Sequence, residues 1–215
     1  RRPGDGVARR MTSSTSILQR IEATLPLRER AWQNPMGAGN WPQAAVLVAL
    51  TDEAEPRVLL GRRAMHLTFH PGEIAFAGGK RDVSDLSPWQ TARREAMEEV
   101  GLPAELICPL GELDPLLTRT GFEVHPCIAR ISSALNLVVD PAEFDSAFFA
   151  PLAAFANAEI FRLETMSDGR NSRKVPHYQL GADSVWGVTA AILVQLVNVA
   201  YDAGLELQRD WKQAP

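Results

Sequence analysis

Residues 78–102 read GGKRDVSDLSPWQTARREAMEEVGL and are the most informative segment of the chain. Two glycines open it, and a polar loop leads from them to a helix start. Ser87 is a favoured N-cap, Pro88 suits the first helical position, and Gln90 is placed to close a capping box with Ser87. Gly101 is a typical C-terminal stop signal. The stretch therefore predicts a glycine-rich turn followed by a helix that ends just before Gly101.

Three glutamates stand near the end of this predicted helix. Glu95 lies three residues before Glu98 and four before Glu99, so all three carboxylates can point to one region. Like charges at these spacings destabilise a helix, and the negative end of the helix dipole adds to that cost. Mg²⁺ or Mn²⁺ would reverse the penalty, because both prefer carboxylate oxygens and leave positions open for phosphate oxygens. Arg94, beside Glu95 and four residues before Glu98, can hold one carboxylate in a single rotamer. The alternative interpretation is a solvated acidic helix face.

The rest of the chain predicts strands around this helix and further helices towards the two ends. The predicted strands are apolar or alternating runs bounded by turn residues: residues 44–50, 57–63, 73–79, 123–131 and 175–180. A short turn joins the first two into a predicted hairpin. Apolar spacing predicts one helix within residues 14–31 and another from residue 183 or 184 to before Gly204. With an apolar stripe on the acidic helix, this pattern predicts an α/β fold, a mixed sheet covered by helices on both faces.

Composition and charge disfavour several classes of function. The chain has 215 residues, 46% of them hydrophobic and 22% charged, and its formal net charge is −4. This charge gives no reason to expect binding to nucleic acid or to an anionic membrane. Residues 185–200 are the longest apolar region, but polar residues interrupt them, which favours a buried helix over a membrane span.

Cysteine usage and the first residues bear on location and domain organisation. Cys108 and Cys127 lie in no CxxC pair and near no histidine cluster, so we expect reduced thiols and a cytoplasmic protein. Residues 1–10 are followed by no apolar segment and do not resemble a signal peptide. We expect residues 1–13 to be a disordered or added tail, and residues 14–215 to form one domain with an N-terminal helix.

The acidic helix resembles the signature of a known family. Residues 94–102, REAMEEVGL, match the core of the Nudix box, R-E-U-x-E-E-x-G-U with U apolar, at every defined position. Upstream, the box has a glycine, five residues, a glutamate and seven residues before its arginine. Here Gly79 is followed by five residues, Asp85 and eight residues before Arg94, so the acid is shorter and the loop is longer by one residue. The resemblance implies an α/β/α Nudix sandwich that hydrolyses diphosphate bonds with Mg²⁺ or Mn²⁺.

The same resemblance implies roles for individual residues. Glu95, Glu98 and Glu99 would bind the metal, and Arg94 would orient a carboxylate by an ion pair. Nudix enzymes often place a further acid from a later loop near the metal, which makes Glu143 a candidate base or extra ligand. The general base stays open between these glutamates, Glu143 and metal-bound hydroxide. A homodimer is also expected from the resemblance.

A second pattern precedes the box. Residues 59–79 read LLGRRAMHLTFHPGEIAFAGG and resemble the motif of coenzyme A diphosphatases in the Nudix family, L-L-T-x-R-[S/A]-x-x-x-R-x-x-x-G-x-x-x-F-P-G-G. Residues 120–126, TGFEVHP, and 185–190, VWGVTA, also resemble that branch. The resemblance implies cleavage of coenzyme A or acyl-CoA to 3′,5′-ADP and (acyl-)4′-phosphopantetheine. The residues that it predicts to contact the substrate are Arg62, Arg63, Gly78 and Gly79.

Gly61, Thr68 and Ala77 depart from that motif, and Thr68 is the departure with a chemical consequence. The motif has arginine there, which suits binding of a nucleotide 3′-phosphate, and threonine cannot supply the charge. The residues that could replace it are Arg62, Arg63, His66 and His70; otherwise the substrate lacks the extra phosphate. Two alternatives therefore stay open. One is a Nudix hydrolase for ADP-ribose, a dinucleotide or a damaged nucleotide, and the other is a non-catalytic Nudix module that senses a nucleotide.

Overall fold

The computed structural model describes residues 16–28, 31–32, 41–118, 120–167 and 172–207. The tail predicted for residues 1–13 lies outside the described residues. The α-helices are α1 (Ile17–Thr24), α2 (Pro88–Val100) and α3 (Gly187–Tyr201). The larger sheet contains β1 (Gln43–Thr51), β2 (Arg57–Arg63), β3 (Ile74–Ala75), β4 (Ala77–Lys80), β5 (Cys108–Glu112), β6 (Leu116–Leu117), β7 (Glu123–Ile131) and β8 (Phe144–Pro151). The smaller sheet contains β9 (Phe161–Ser167), β10 (Ser172–Leu180) and β11 (Asp183–Trp186).

Strand β1 is the centre of the larger sheet. It pairs in parallel with β7 over its whole length. Its other edge pairs antiparallel with β4 along the first half and with β2 at Leu50. Strand β2 pairs in turn with β3 and β8, and β7 pairs with β5 and β6. Because α2 packs on both β1 and β4, this arrangement brings the glycines of β4 against the acidic helix.

Alternate residues of β1 are buried on opposite faces of the sheet, as strand geometry requires. The side chains that pack towards α2 are Ala45, Leu47 and Ala49, which meet Ala92, Ala96 and Val100 of the helix. Those that pack towards α1, α3 and the smaller sheet are Ala44, Val48 and Leu50. The predicted mixed sheet with helices on both faces is therefore confirmed. In the part of the chain that the structure describes, no helix is long and apolar enough to cross a membrane.

Several predicted elements are confirmed and others need correction. The strands at residues 44–50, 57–63 and 123–131 are β1, β2 and β7. The single strand predicted at residues 73–79 is two strands, since the chain changes partner at Phe76, from β2 to β1. The C-terminal helix does not begin at residue 183 or 184, because those residues pair with β10 as part of β11.

Local signals near the helix ends were also only partly right. Helix α1 is shorter than predicted, because Leu25 is already extended and Pro26 follows it. The capping box of α2 is half formed: the Ser87 hydroxyl accepts from the Gln90 amide, whereas the Gln90 side chain accepts from the Leu86 amide at 2.8 Å. The strands that the sequence did not predict are β5, β6, β8, β9 and β11.

Candidate active site

Helix α2 contacts strand β4 at its two glycines, Gly78 and Gly79. The Gly78 amide donates a 2.8 Å hydrogen bond to Oε2 of Glu99. A Cβ added at Gly79 would lie 2.6 Å from Cδ of Glu95, and one at Gly78 would lie 2.6 Å from Cα of Val46. Only glycine fits at either position, so the backbone of β4 and the carboxylates of α2 touch directly.

Glu99 is the most buried carboxylate of the helix, with 4% of the residue exposed. Burial, helped by the neighbouring charges of Glu95 and Glu143, raises its pKa to about 8. The Gly78 amide and the positive charge of Arg63 act in the opposite direction, but they do not outweigh burial. A cation placed here would therefore stabilise an ionised carboxylate that the fold itself disfavours.

Arg94 links the other two glutamates of the helix. Its Nη1 lies 2.9 Å from Oε1 of Glu95 and 3.1 Å from Oε2 of Glu98. Glu95 is largely buried, and burial raises its pKa, whereas 57% of the Glu98 side chain is exposed. The three carboxylates thus share one patch, in which Glu98 stands on the solvent side of the guanidinium.

The guanidinium of Arg94 is itself held by a buried acid. Its Nη2 lies 2.9 Å from Oδ2 of Asp85 and donates to the Lys80 carbonyl at 3.0 Å. The Thr91 hydroxyl and the Asp82 amide each donate to the same Asp85 oxygen at 2.9 Å. Burial would raise the pKa of Asp85, but these donors together hold it below its usual value. Asp85 therefore anchors Arg94 despite its shorter side chain.

The loop residues predicted for the site separate into two groups. Arg63 is a neighbour of Glu99, since its charge lowers the pKa of that glutamate, and its Nε is buried without a hydrogen-bond partner among the described residues. Glu143 is also an electrostatic neighbour of Glu99, and its carbonyl accepts from the Ala64 amide at 2.9 Å. Arg62 instead turns away and forms a 2.6 Å ion pair with Asp183 of β11.

The loop between β2 and β3 carries the remaining predicted residues. Thr68, His66 and His70 are exposed there, and His70 lies 3.0 Å from the Glu73 carboxylate. Of the cations proposed to replace the motif arginine, only Arg63 lies next to the acidic patch. Sequence reasoning missed Lys80 and Thr91 and left the role of Asp85 open, although Thr91 lies one helical turn before Arg94.

Comparison with known proteins agrees with this geometry. Residues 41–169 match the NUDIX domain family. The chain belongs to the Nudix family. A protein of Yersinia enterocolitica named as an uncharacterized Nudix hydrolase NudL is 37% identical over 167 residues, which cover 75% of this chain and 85% of the relative. A Photorhabdus laumondii protein of the same name is 32% identical over 188 residues, which cover 87% of this chain and 98% of that one.

A solved Nudix structure supports the fold alone. The MutT/nudix family protein from Enterococcus faecalis superposes with a TM-score of 0.50 at 19% identity, over 76% of this chain and 63% of that one. The fold is therefore the Nudix α/β fold. The family match and the two relatives make this protein a Nudix hydrolase, and the family generally acts on small nucleotide derivatives with divalent metal ions.

The Nudix box residues fit such a metal by their chemistry. Glu95, Glu98 and Glu99 offer carboxylate oxygens, which Mg²⁺ and Mn²⁺ prefer, and two of these groups are buried where a cation would favour their ionised form. Within the described residues, no three acidic, histidine or cysteine side chains are arranged to hold a metal ion. In this arrangement Arg94 serves as counter-ion to Glu95 and Glu98.

Proposed function

We propose that this Nudix hydrolase cleaves the diphosphate bond of coenzyme A or acyl-CoA, giving 3′,5′-ADP and (acyl-)4′-phosphopantetheine, with Mg²⁺ or Mn²⁺. The observation that carries the proposal is the meeting of two sequence signals in one place. The stretch that resembles the coenzyme A motif, residues 59–79, brings Arg63 and Gly78 to Glu99 of the box helix. The diphosphate of the substrate would lie where these groups meet.

Each group has a role that follows from its surroundings. Glu95, Glu98 and Glu99 would hold the cation, which when bound neutralises diphosphate charge and acidifies the attacking water. Arg63 offers a positive charge beside Glu99 for a diphosphate oxygen, and Gly78 and Gly79 let the backbone of β4 lie directly against the helix carboxylates. Water adds to one phosphorus, the bridging P–O bond breaks, and the departing phosphate carries the electron pair away.

The proton lost by the water needs an acceptor in the patch. Glu143 is half-buried, lies near Glu99, and is not among the described partners of Arg94, which supports it as the base. Glu95 and Glu98 are instead paired with Arg94, which holds both carboxylates in fixed positions on the helix. Comparing the pH profile of turnover for wild type and Glu143→Gln tests this assignment, since loss of a base removes the acid limb of the profile.

One observation favours a second candidate, a Nudix hydrolase for ADP-ribose, a dinucleotide or a damaged nucleotide. Thr68 is exposed and uncharged, and Arg62 is taken by Asp183, so neither supplies a cation for a 3′-phosphate. A substrate without that phosphate would need none.

A substrate panel decides between these candidates. Purified protein is incubated with coenzyme A, acyl-CoA, ADP-ribose and dinucleoside polyphosphates in Mg²⁺ or Mn²⁺, and the products are identified by mass. We expect 3′,5′-ADP from the CoA compounds, no product in excess chelator, and recovery when metal is restored. Glu99→Gln, purified identically, controls for contaminating hydrolases. Preferred cleavage of ADP-ribose contradicts the coenzyme A proposal, and full activity in chelator contradicts the metal role.

We also propose a cytoplasmic homodimer. Cys108 and Cys127 are both free thiols, which suits a reducing compartment, and the dimer follows from the family resemblance. Sedimentation equilibrium of the pure protein tests the dimer, and a single species of monomer mass contradicts it.

A further inference from the structure

Lys80 is a cation at the edge of the site that the Nudix box does not use. It follows the glycine pair directly, is exposed, and forms no ion pair with any described residue. Its Nζ lies 5.1 Å from the centroid of the Phe122 ring. By contrast, Arg94 contacts Asp85, Glu95 and Glu98, and Arg62 contacts Asp183. Lys80 therefore keeps its full positive charge available.

The backbone holds Lys80 close to the catalytic patch. Its carbonyl accepts a hydrogen bond from Arg94, and its residue pairs with Ala44 of β1. Lys80 comes two residues after Gly78, so the two Cα atoms are at most about 7.6 Å apart. Strand alternation places its side chain on the same face of β4 as Gly78, opposite the face on which Gly79 meets Glu95. Among the described strands β4 pairs with β1 alone, so this ammonium group lies at a free edge of the sheet, where a substrate that leaves the acidic patch can reach it.

The Phe122 ring is fixed by a closed turn. The Phe122 amide donates to the Thr118 hydroxyl at 2.8 Å, and its carbonyl accepts from the Thr118 amide at 2.7 Å. Gly121 has a φ of +78°, and a Cβ there would lie 3.1 Å from the Trp41 ring. The ring is thus held in place before any ligand arrives.

An aromatic partner has a different effect from a carboxylate. A carboxylate would cancel the charge of Lys80, whereas a ring face orients the ammonium and leaves its charge intact. The contact is weak at an exposed site, so an incoming phosphate can compete with it. Lys80 over Phe122 therefore has the properties of an anion-binding side chain positioned in advance.

We propose that Lys80, oriented by Phe122, binds the phosphomonoester on the nucleoside of the substrate and thereby determines specificity for it. The identification of that group as the 3′-phosphate of coenzyme A rests on the proposed function. In this assignment Lys80 supplies, from the other side of the glycine pair, the charge that Thr68 does not.

The test compares ligands that differ only in the 3′-phosphate. The ratio of kcat/KM for coenzyme A to that for dephospho-coenzyme A is measured in wild type, Lys80→Gln, Phe122→Leu and Lys174→Gln. Lys174 is an exposed lysine of β10 and serves as the matched control. We expect wild type and Lys174→Gln to prefer coenzyme A, Lys80→Gln to lose about tenfold in the ratio, and Phe122→Leu to lose about threefold. Because each ratio is measured on one preparation, a partly unfolded variant does not distort it.

A binding measurement separates failure of this inference from failure of the proposed function. Titration calorimetry with 3′,5′-ADP and with 5′-AMP, in Mg²⁺, reports the same contact without any hydrolysis. Tighter binding of 3′,5′-ADP that disappears in Lys80→Gln supports Lys80 even where coenzyme A is not cleaved. Equal affinities in wild type, a preference that survives in Lys80→Gln, or no binding of 3′,5′-ADP overturns the assignment.

Discussion

The two edges of helix α2 carry the same residue type in opposite environments. On the inner edge, Glu99 is buried and accepts a hydrogen bond from the Gly78 amide, and burial raises its pKa to about 8. On the outer edge, the adjacent Glu98 is 57% exposed and pairs with Arg94. A rotation of about 100° per residue separates the two. Adjacent acids in a sequence can therefore differ completely in what their charge does to the fold.

Replacing each acid by glutamine gives the largest expected effect and tests this difference. Glu99→Gln and Glu98→Gln should each lower turnover about a hundredfold or more, roughly 2.7 kcal/mol on the barrier. Stability should separate them. Without metal at neutral pH, Glu99→Gln should melt above wild type because glutamine needs no proton uptake on folding, whereas Glu98→Gln should lose only an exposed pair worth about 0.3–0.5 kcal/mol.

Turnover per folded molecule and thermal melting in chelator measure both effects. Glu105→Gln, an exposed acid in the turn after α2, is the matched control and should change neither. A Glu99→Gln protein that melts far below wild type yet keeps normal turnover would make this residue structural and contradict its proposed role.

The acidic patch was predictable from the sequence because helix spacing is local. The spacing of Glu95, Glu98 and Glu99, the Ser87 cap and the Gly101 stop are all fixed within a few residues. The choice between Arg62 and Arg63 was not predictable. Neighbouring strand residues point to opposite faces, and the partner of Arg62 lies 121 positions away in β11.

The strands that went unpredicted have a similar explanation. β9 alternates apolar and polar residues only over residues 161–164, and its last three residues are exposed, so the signal is too short to mark a strand. β11 is marked only by its pairing with β10, a tertiary contact that overrides the local helical pattern of residues 183–186. The ion pair between Arg94 and Asp85 also depends on the shape of a loop. A turn in which the Asp82 amide donates to the Asp85 carboxylate brings that carboxylate to Arg94.

Removing the Thr91 hydroxyl, which supports Arg94 through Asp85, should have an intermediate effect on turnover. The Thr91 hydroxyl is fully buried and donates to Asp85, which holds Arg94 between Glu95 and Glu98. Thr91→Val keeps the volume and removes the donor, so we expect kcat to fall about tenfold with little change in KM. Thr91→Ser retains the donor and should restore most of the rate. If both variants lose stability equally while kcat stays normal, Thr91 contributes packing alone and the outer edge needs no such support.

The smallest expected effect is on the pH dependence of stability. Glu99, on the inner edge, and Asp85 should change the free energy of unfolding in opposite directions as pH rises. The pKa of Glu99 is about 8 in the folded protein against an ordinary value of 4.5. Below pH 4.5 both states are protonated; between pH 4.5 and 8 the unfolded chain loses its proton first, so the free energy of unfolding falls as pH rises. The pKa of Asp85 is lowered below 3.8 in the folded protein. Its ionised form therefore contributes to the free energy of unfolding above pH 3.8, and this contribution is lost only as pH falls further.

Denaturant unfolding in chelator at pH 6 and pH 7 isolates the Glu99 contribution, because Asp85 is ionised in both states there. Wild type should lose stability relative to Glu99→Gln over this interval, by at most about 1.4 kcal/mol for one proton per pH unit. Mg²⁺ should reduce the change in the wild-type free energy of unfolding between pH 6 and pH 7, because a bound cation favours the ionised Glu99 carboxylate in place of the proton. Identical slopes for wild type and Glu99→Gln in chelator would mean that the Glu99 carboxylate is as well solvated as that of Glu98, and the contrast between the two edges of α2 would fail.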